Sequence, residues 1–301
     1  MILTSGLSLP EAPLSLPDGT WLVTEMGSDR GSVTHISLDG QTKRMLVRTG
    51  RPNGLARDEA GNLWITETLN PALMRLTADG DLEVWATECD GQPLLFPNDL
   101  AFGPDGALYM TDSGIRVQEF MPGGRLRHDF DFLPYDGRIY RIDIASRDIR
   151  KIDEGLHFAN GIAFGPDGDL YVSETLTGAI YRYPWQGGAL GPRLWFSFVI
   201  EPPCGPVPIQ GPDGIKFSAD GNLYVAIHGQ GNVAVLGQDG QIVRHIETRG
   251  RMPTNLAFGP GNEERIYVTE DELGSLEVLE AGAAGLPLFS DRSKEPALGR
   301  Q

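Results

Sequence analysis

The sequence predicts an all-β protein, a single six-bladed β-propeller with four-stranded blades spanning residues 1–301. Three observations carry that expectation. One hairpin-like stretch occurs six times. Its copies recur at intervals of 42, 45, 62, 53 and 42 residues, about the length of a four-stranded blade. Finally, 39 glycines and 22 prolines leave little room for long helices. An open β-sandwich would give no reason for such a repeat.

In chain order the copies are PEAPLSLPDGTWLVTE from Pro10, PNGLARDEAGNLWITE from Pro52 and PNDLAFGPDGALYMTD from Pro97. ANGIAFGPDGDLYVSE from Ala159, PDGIKFSADGNLYVAI from Pro212 and a looser TNLAFGPGNEERIYVTE from Thr254 complete the set. In the first five, a short run meets a turn holding Gly19, Gly61, Gly106, Gly168 or Gly221. A second run, rich in β-branched and aromatic residues, then makes the hairpin. Third strands such as GRIYRID and GAIYRYP follow. The two long intervals hold their excess between Asp112 and Gly137 and between Pro184 and Pro212. One insertion leaves the end of a second strand and much of the other precedes a first strand, so both should overhang the same mouth as lids. Phe120, Phe130, Phe132, Tyr135, Trp195, Phe196 and Phe198 are their candidate pocket aromatics, with Arg116, Arg125 and His128 as polar contacts.

Charge narrows the partners. Lys+Arg 25 against Asp+Glu 41 gives −16, which repels nucleic acid and anionic membranes and leaves a small molecule as the expected partner, with the oligomeric state open. Met1 to Glu11 has no basic and apolar signal regions, and no eighteen apolar residues run together, so a cytoplasmic protein is expected. Cys89 and Cys204 make no disulfide framework, and Cys204, in EPPCGPVP without a base beside it, reads as inert. Neither G-x-S-x-G nor H-E-x-x-H occurs, and the five histidines show no ligand spacing, His228 alone lying next to a repeated position.

The residues that follow the first residue of each copy read Glu11, Asn53, Asn98, Asn160, Asp213 and Asn255, all bearing side-chain oxygen. In a propeller the same point on six innermost strands makes a ring about the axis. Carboxylates and amide carbonyls without Cys or His suit a hard cation, Ca2+ best, with Zn2+, Mn2+ or Mg2+ also admitted. Fourteen residues later come Glu25, Glu67, Asp112, Glu174 and Ile227, with Glu270 one residue late, a second ring expected to orient the ligand amides. The competing reading, Asn and Asp satisfying backbone N–H groups at strand starts, accounts for one copy better than for six.

At these residues the chain resembles the regucalcin/gluconolactonase family of calcium-dependent lactonases, which includes senescence marker protein and is related to diisopropyl fluorophosphatase and the paraoxonases. The resemblance rests on Glu11-Ala12-Pro13, Pro97-Asn98-Asp99, Asn160-Gly161-Ile162 and Pro212-Asp213-Gly214 in order, and LYVAIHGQGNVAVL looks like the fifth blade of the drug-responsive lactonase branch. It implies a catalytic Ca2+ on Glu11, Asn160 and Asp213, with Asn98 as fourth ligand or substrate contact and Asp213 as general base or nucleophile. It further implies a lactone substrate, contacted by Asn98, Phe96, Asn53 and Asp112. Sugar lactonases of that family carry Arg where this chain has Phe96. A guanidinium suited to hydroxyls is thus replaced by an apolar ring, from which a lactone with an apolar or aromatic body is expected. Phosphotriester or fluorophosphate hydrolysis on the same metal and a non-catalytic Ca2+-binding scaffold are the alternatives.

Overall fold

The computed structural model describes residues 1–202 and 206–290, so Cys204 lies outside the described residues. Six four-stranded antiparallel sheets form the blades. Blade one holds Pro10–Ser15, Trp21–Glu25, Ser32–Ile36 and Lys43–Arg48; blade two holds Pro52–Arg57, Leu63–Glu67, Ala72–Leu76 and Leu82–Ala86. Blade three is Pro97–Phe102, Leu108–Asp112, Gly137–Asp143 and Asp148–Leu156, and blade four is Ala159–Phe164, Leu170–Glu174, Ala179–Tyr183 and Leu194–Phe198. Blade five comprises Gly211–Phe217, Leu223–His228, Asn232–Leu236 and Ile242–Glu247. Blade six has Pro253–Phe258, Arg265–Glu270 and Ser275–Glu280, and its outer strand is the N-terminal Ile2–Ser5. The first strand of each blade packs against those of its two neighbours, which closes the ring.

Period-2 alternation lets each blade bury both faces, because a neighbouring blade covers each of them. The six hydrophobic clusters between consecutive blades follow directly. Trp64 and Trp85 meet edge-on in the cluster between blades two and three, and Trp21 stacks on Tyr267 at 3.9 Å between blades one and six. Emptying one such position, as in Trp64→Ala, removes about 3–5 kcal/mol.

The feature that builds the site is a register shift near the start of every first strand. Pro52 pairs with Glu67 and Leu55 with Ile65, so Asn53 and Gly54 together face Thr66, and blades three, four and five shift at the same two positions. In blade one Glu11 still pairs with Thr24 and the shift falls at Ala12 and Pro13, and in blade six Thr254 is the extra residue between Pro253 and Asn255. A bulge re-aims a side chain out of the alternation. Hydroxyls of the second strands then latch the re-aimed residue of the next blade. Thr24 Oγ1 donates to the Asn53 carbonyl (2.6 Å), Thr66 to Asn98 (2.5 Å), Thr111 to Asn160 (2.6 Å) and Ser173 to Asp213 (2.7 Å). First strands come so close here that a Cβ on Gly161 would lie 2.3 Å from the Asp213 carbonyl oxygen, and one on Gly214 would lie 2.0 Å from Asn255 Oδ1. Glycine after the ring residue is therefore a steric requirement in blades four and five.

Candidate metal and active site

The first strands carry Glu11, Asn53, Asn98, Asn160 and Asp213 at their starts, all buried except for the partly exposed Asp213. The sixth position differs from the expectation. The turn of blade six is two residues longer than the others, so Pro253 pairs with Glu270 and it is Thr254 that follows the paired proline. Asn255 lies one residue further along the strand, in step with Asp99 of blade three. Its Nδ2 donates to Glu11 Oε2 (3.0 Å) and to Asp99 Oδ2 (3.4 Å). The Asp99 carboxylate in turn faces Lys216 Nζ at 3.5 Å.

The second ring does other work than expected. Glu25 accepts the Ser8 N–H, Glu67 those of Arg51 and Leu69, and Asp112 those of Leu95, Phe96 and Gly114. Glu174 accepts the His157 N–H, and Glu270 those of Met252, Glu272 and Leu273. These carboxylates anchor the chain as it enters each first strand, the turn-satisfying role that had been the competing reading for the first ring. Asp112 is fully buried and spent on three backbone donors, which corrects its assignment as a substrate contact. The amides are oriented by the next residue along: Asn98 Nδ2 donates to Ser113 Oγ and Asn160 Nδ2 to Thr175 Oγ1, each at 3.0 Å. The NH2 end of each amide is thereby held by the wall, and the Asn160 side chain also hydrogen-bonds Asp213.

Burial and mutual repulsion disfavour the charged forms of the acids here. Burial, then the Asp99 charge, pushes the Glu11 carboxyl up to about 8, against the Asn255 and Ala12 hydrogen bonds that favour its ionised form. Burial, followed by the charges of Glu11, Asp271 and Asp99, holds Asp213 well above the usual carboxylate range. Asp271 is also pushed up to about 8, chiefly by burial, with Arg51 opposing. Among the described residues no three His, Cys, Asp or Glu side chains converge as a metal cluster, so carboxylates alone do not make a cage. A mixed set does fit a hard cation: the two carboxylates of Glu11 and Asp213 with the Asn98 and Asn160 carbonyl oxygens, on strands whose carbonyls are already latched.

Asp99, Asp271, Lys216 and Arg51 were not singled out as site residues in the sequence. Arg51 Nη1 donates to Thr68 Oγ1 (3.2 Å), and the guanidinium carbon lies 5.8 Å from the Phe96 ring centroid. Phe96 itself is only 4% exposed, one of a lid cluster with Ile115, Val117, Phe120, Phe130, Tyr135 and Phe158. It packs the lid onto blade three instead of lining an open pocket. The residue 113–136 insertion thus forms a lid with its own core, whereas Phe132 is 89% exposed and Trp195, Phe196 and Phe198 lie on the outer strand of blade four. His228 Nδ1 sits 3.9 Å from Asp213 Oδ2, and burial lowers its pKa to about 4.

The fold and its channel of buried carboxylates and amides define a closed six-bladed propeller with a polar channel. The chain belongs to the SMP-30/Gluconolactonase/LRE-like family, whose model matches residues 9–271. It is 28% identical to diisopropyl-fluorophosphatase of Loligo vulgaris, over 82% of this chain and 79% of that protein. It is 31% identical to 6-deoxy-6-sulfogluconolactonase of Pseudomonas putida, over 56% of this chain and 57% of the relative. The solved structure of a gluconolactonase from Xanthomonas campestris superposes with TM-score 0.76 at 28% identity, covering 93% of this chain and 88% of that one. The chain spans about half the length of most of the curated relatives it matches.

Proposed function

We propose that this protein is a metal-dependent lactone hydrolase and that Ca2+ is its metal. The observation that carries the reading is the set of Glu11 with the latched Asn98, Asn160 and Asp213, whose carboxyls are destabilised as anions without a cation. Relatives named as lactonases and a gluconolactonase of the same fold support it. A divalent cation held there supplies positive charge to the lactone carbonyl oxygen and to the oxyanion that develops on it. Asp213 is the general base: it takes a proton from water as the water oxygen bonds to the carbonyl carbon. It returns that proton to the ring oxygen when the C–O bond breaks. The apolar substrate body inferred from Phe96 required that ring to face the substrate. Its burial, with the Arg51 guanidinium beside it, removes that premise, so the proposal is a lactone without an assigned body.

The test is turnover of glucono-δ-lactone and an aryl γ-lactone, with Ca2+ and with EGTA, by the unmodified protein, Glu11→Gln and Asp213→Asn. Calcium-dependent opening of one lactone, lost in both variants with the β-rich circular dichroism kept, is expected; activity indifferent to EGTA would sink the calcium reading. The diisopropyl-fluorophosphatase relative, aligned over most of this chain, favours phosphotriester hydrolysis as a second reading. Faster turnover of paraoxon than of every lactone would select it.

A further inference from the structure

In blades three and four the residue after the second strand is a hydroxyl that touches the ring amide, Ser113 on Asn98 and Thr175 on Asn160, both at 3.0 Å. The same position of blade five closes the second strand with His228, and its ring partner is a carboxylate, Asp213. Here the contact is open: Nδ1 and Oδ2 are 3.9 Å apart. Nδ1 is also buried and, among the described residues, has no hydrogen-bond partner. A buried imidazole nitrogen left unbonded beside a carboxylate is costly, and closing the gap would need only about 1 Å of movement. A gap of this size suits one oxygen at about 2.8 Å from both atoms.

We propose that His228 and Asp213 together hold the water that attacks the lactone carbonyl. This rests on the lactonase reading and deepens it. One water O–H donates to Asp213 Oδ2 and the other to His228 Nδ1, which turns an oxygen lone pair toward the carbonyl carbon. That pair forms the new C–O bond, and the carbonyl π pair moves onto its oxygen. The first proton passes to Asp213. As the oxyanion collapses, the ring C–O bond breaks and Asp213 returns the proton to the departing alkoxide, so one water is consumed and a hydroxy acid is released. His228 keeps its own proton count throughout and is a water-positioning residue.

The repeat supplies the diagnostic variant, because His228→Ser places in blade five the residue type that blade three already carries. Expected for His228→Ser is a kcat loss of about 100-fold or more, with KM within about twofold and an unchanged Ca2+-dependent shift of Tm. Added hydroxylamine, a stronger nucleophile that does not depend on a held water, should recover much of the loss. Unchanged kcat in His228→Ser overturns the proposal alone. A lost Ca2+-dependent Tm shift overturns it too, by making His228 part of the cation's cage. An unmodified protein that opens no lactone with Ca2+ removes the lactonase reading and this proposal together.

Discussion

At the scale of single residues, the channel keeps several acids together that would ionise separately in water. Glu11 and Asp271 are both pushed up to about 8 from ordinary values of 4.5 and 3.8. An unfolded chain loses these protons near pH 4, whereas the fold retains them to about pH 8. Between those values the native state binds more protons than the unfolded state, so stability falls as pH rises. The divalent cation proposed for this site would bind the ionised carboxylates and oppose the loss. In EGTA the Tm should therefore decline between pH 5 and pH 8, and saturating Ca2+ should flatten the decline. A Tm in EGTA that is constant or rising across that window would mean that the carboxyls are already compensated within the protein, with Lys216 and Arg51 the groups to examine.

Among the elements, the repeated hairpin divides its acids between two tasks. Asp112 holds three backbone N–H groups and is fully buried. Asp112→Ala leaves those donors bare, at about 1–3 kcal/mol each where water does not replace the carboxylate. Urea unfolding should show a loss of about 3 kcal/mol or more, while the Ca2+-dependent rise in Tm persists. A variant that keeps its stability but loses the calcium response would reverse the assignment. The hairpins themselves were legible, because alternation and a glycine turn are local signals and six copies exclude coincidence. The positions of Glu11, Asn98, Asn160 and Asp213 at the starts of first strands were legible too, each sitting beside its copy's opening residue. The displacement of Asn255 was not, since it follows from two extra turn residues that an ungapped alignment hides. Arg51, Asp271 and Lys216 were hidden for another reason: Arg51 and Asp271 lie outside the strands and Lys216 three residues past Asp213, and their relation to the acids shows only in contacts between blades, such as Lys216 with Asp99.

For the whole molecule, the question is what keeps a ring of six independent sheets shut. Five blades take all four strands from one stretch of chain, but the outer strand of blade six is Ile2–Ser5. That strand bears no trace of the hairpin repeat, which is why the sequence did not show it closing the ring. It pairs with Ser275–Glu280 through Ile2 and Glu277, Thr4 and Leu276, and Ser5 and Ser275, and Leu7 N donates to the Gly274 carbonyl just beyond. Removing residues 1–6 deletes those pairs and leaves the edge of Ser275–Glu280 bare, a template for association. The consequence reaches the site, because the Glu11–Asn255 hydrogen bond of 3.0 Å crosses this same seam between blades one and six. A seam that opens moves Glu11 relative to Asn98, Asn160 and Asp213 on the far blades. The shortened chain should melt about 5 °C or more below the full chain, as expected for a loss of a few kcal/mol at this size. Its Ca2+ titration, followed by Tm, should shift to higher concentration. An equal loss of Tm with an unchanged Ca2+ midpoint would show that the strand adds stability without holding the ligands in register. No loss of either would mean that the contacts between blades one and six close the ring on their own.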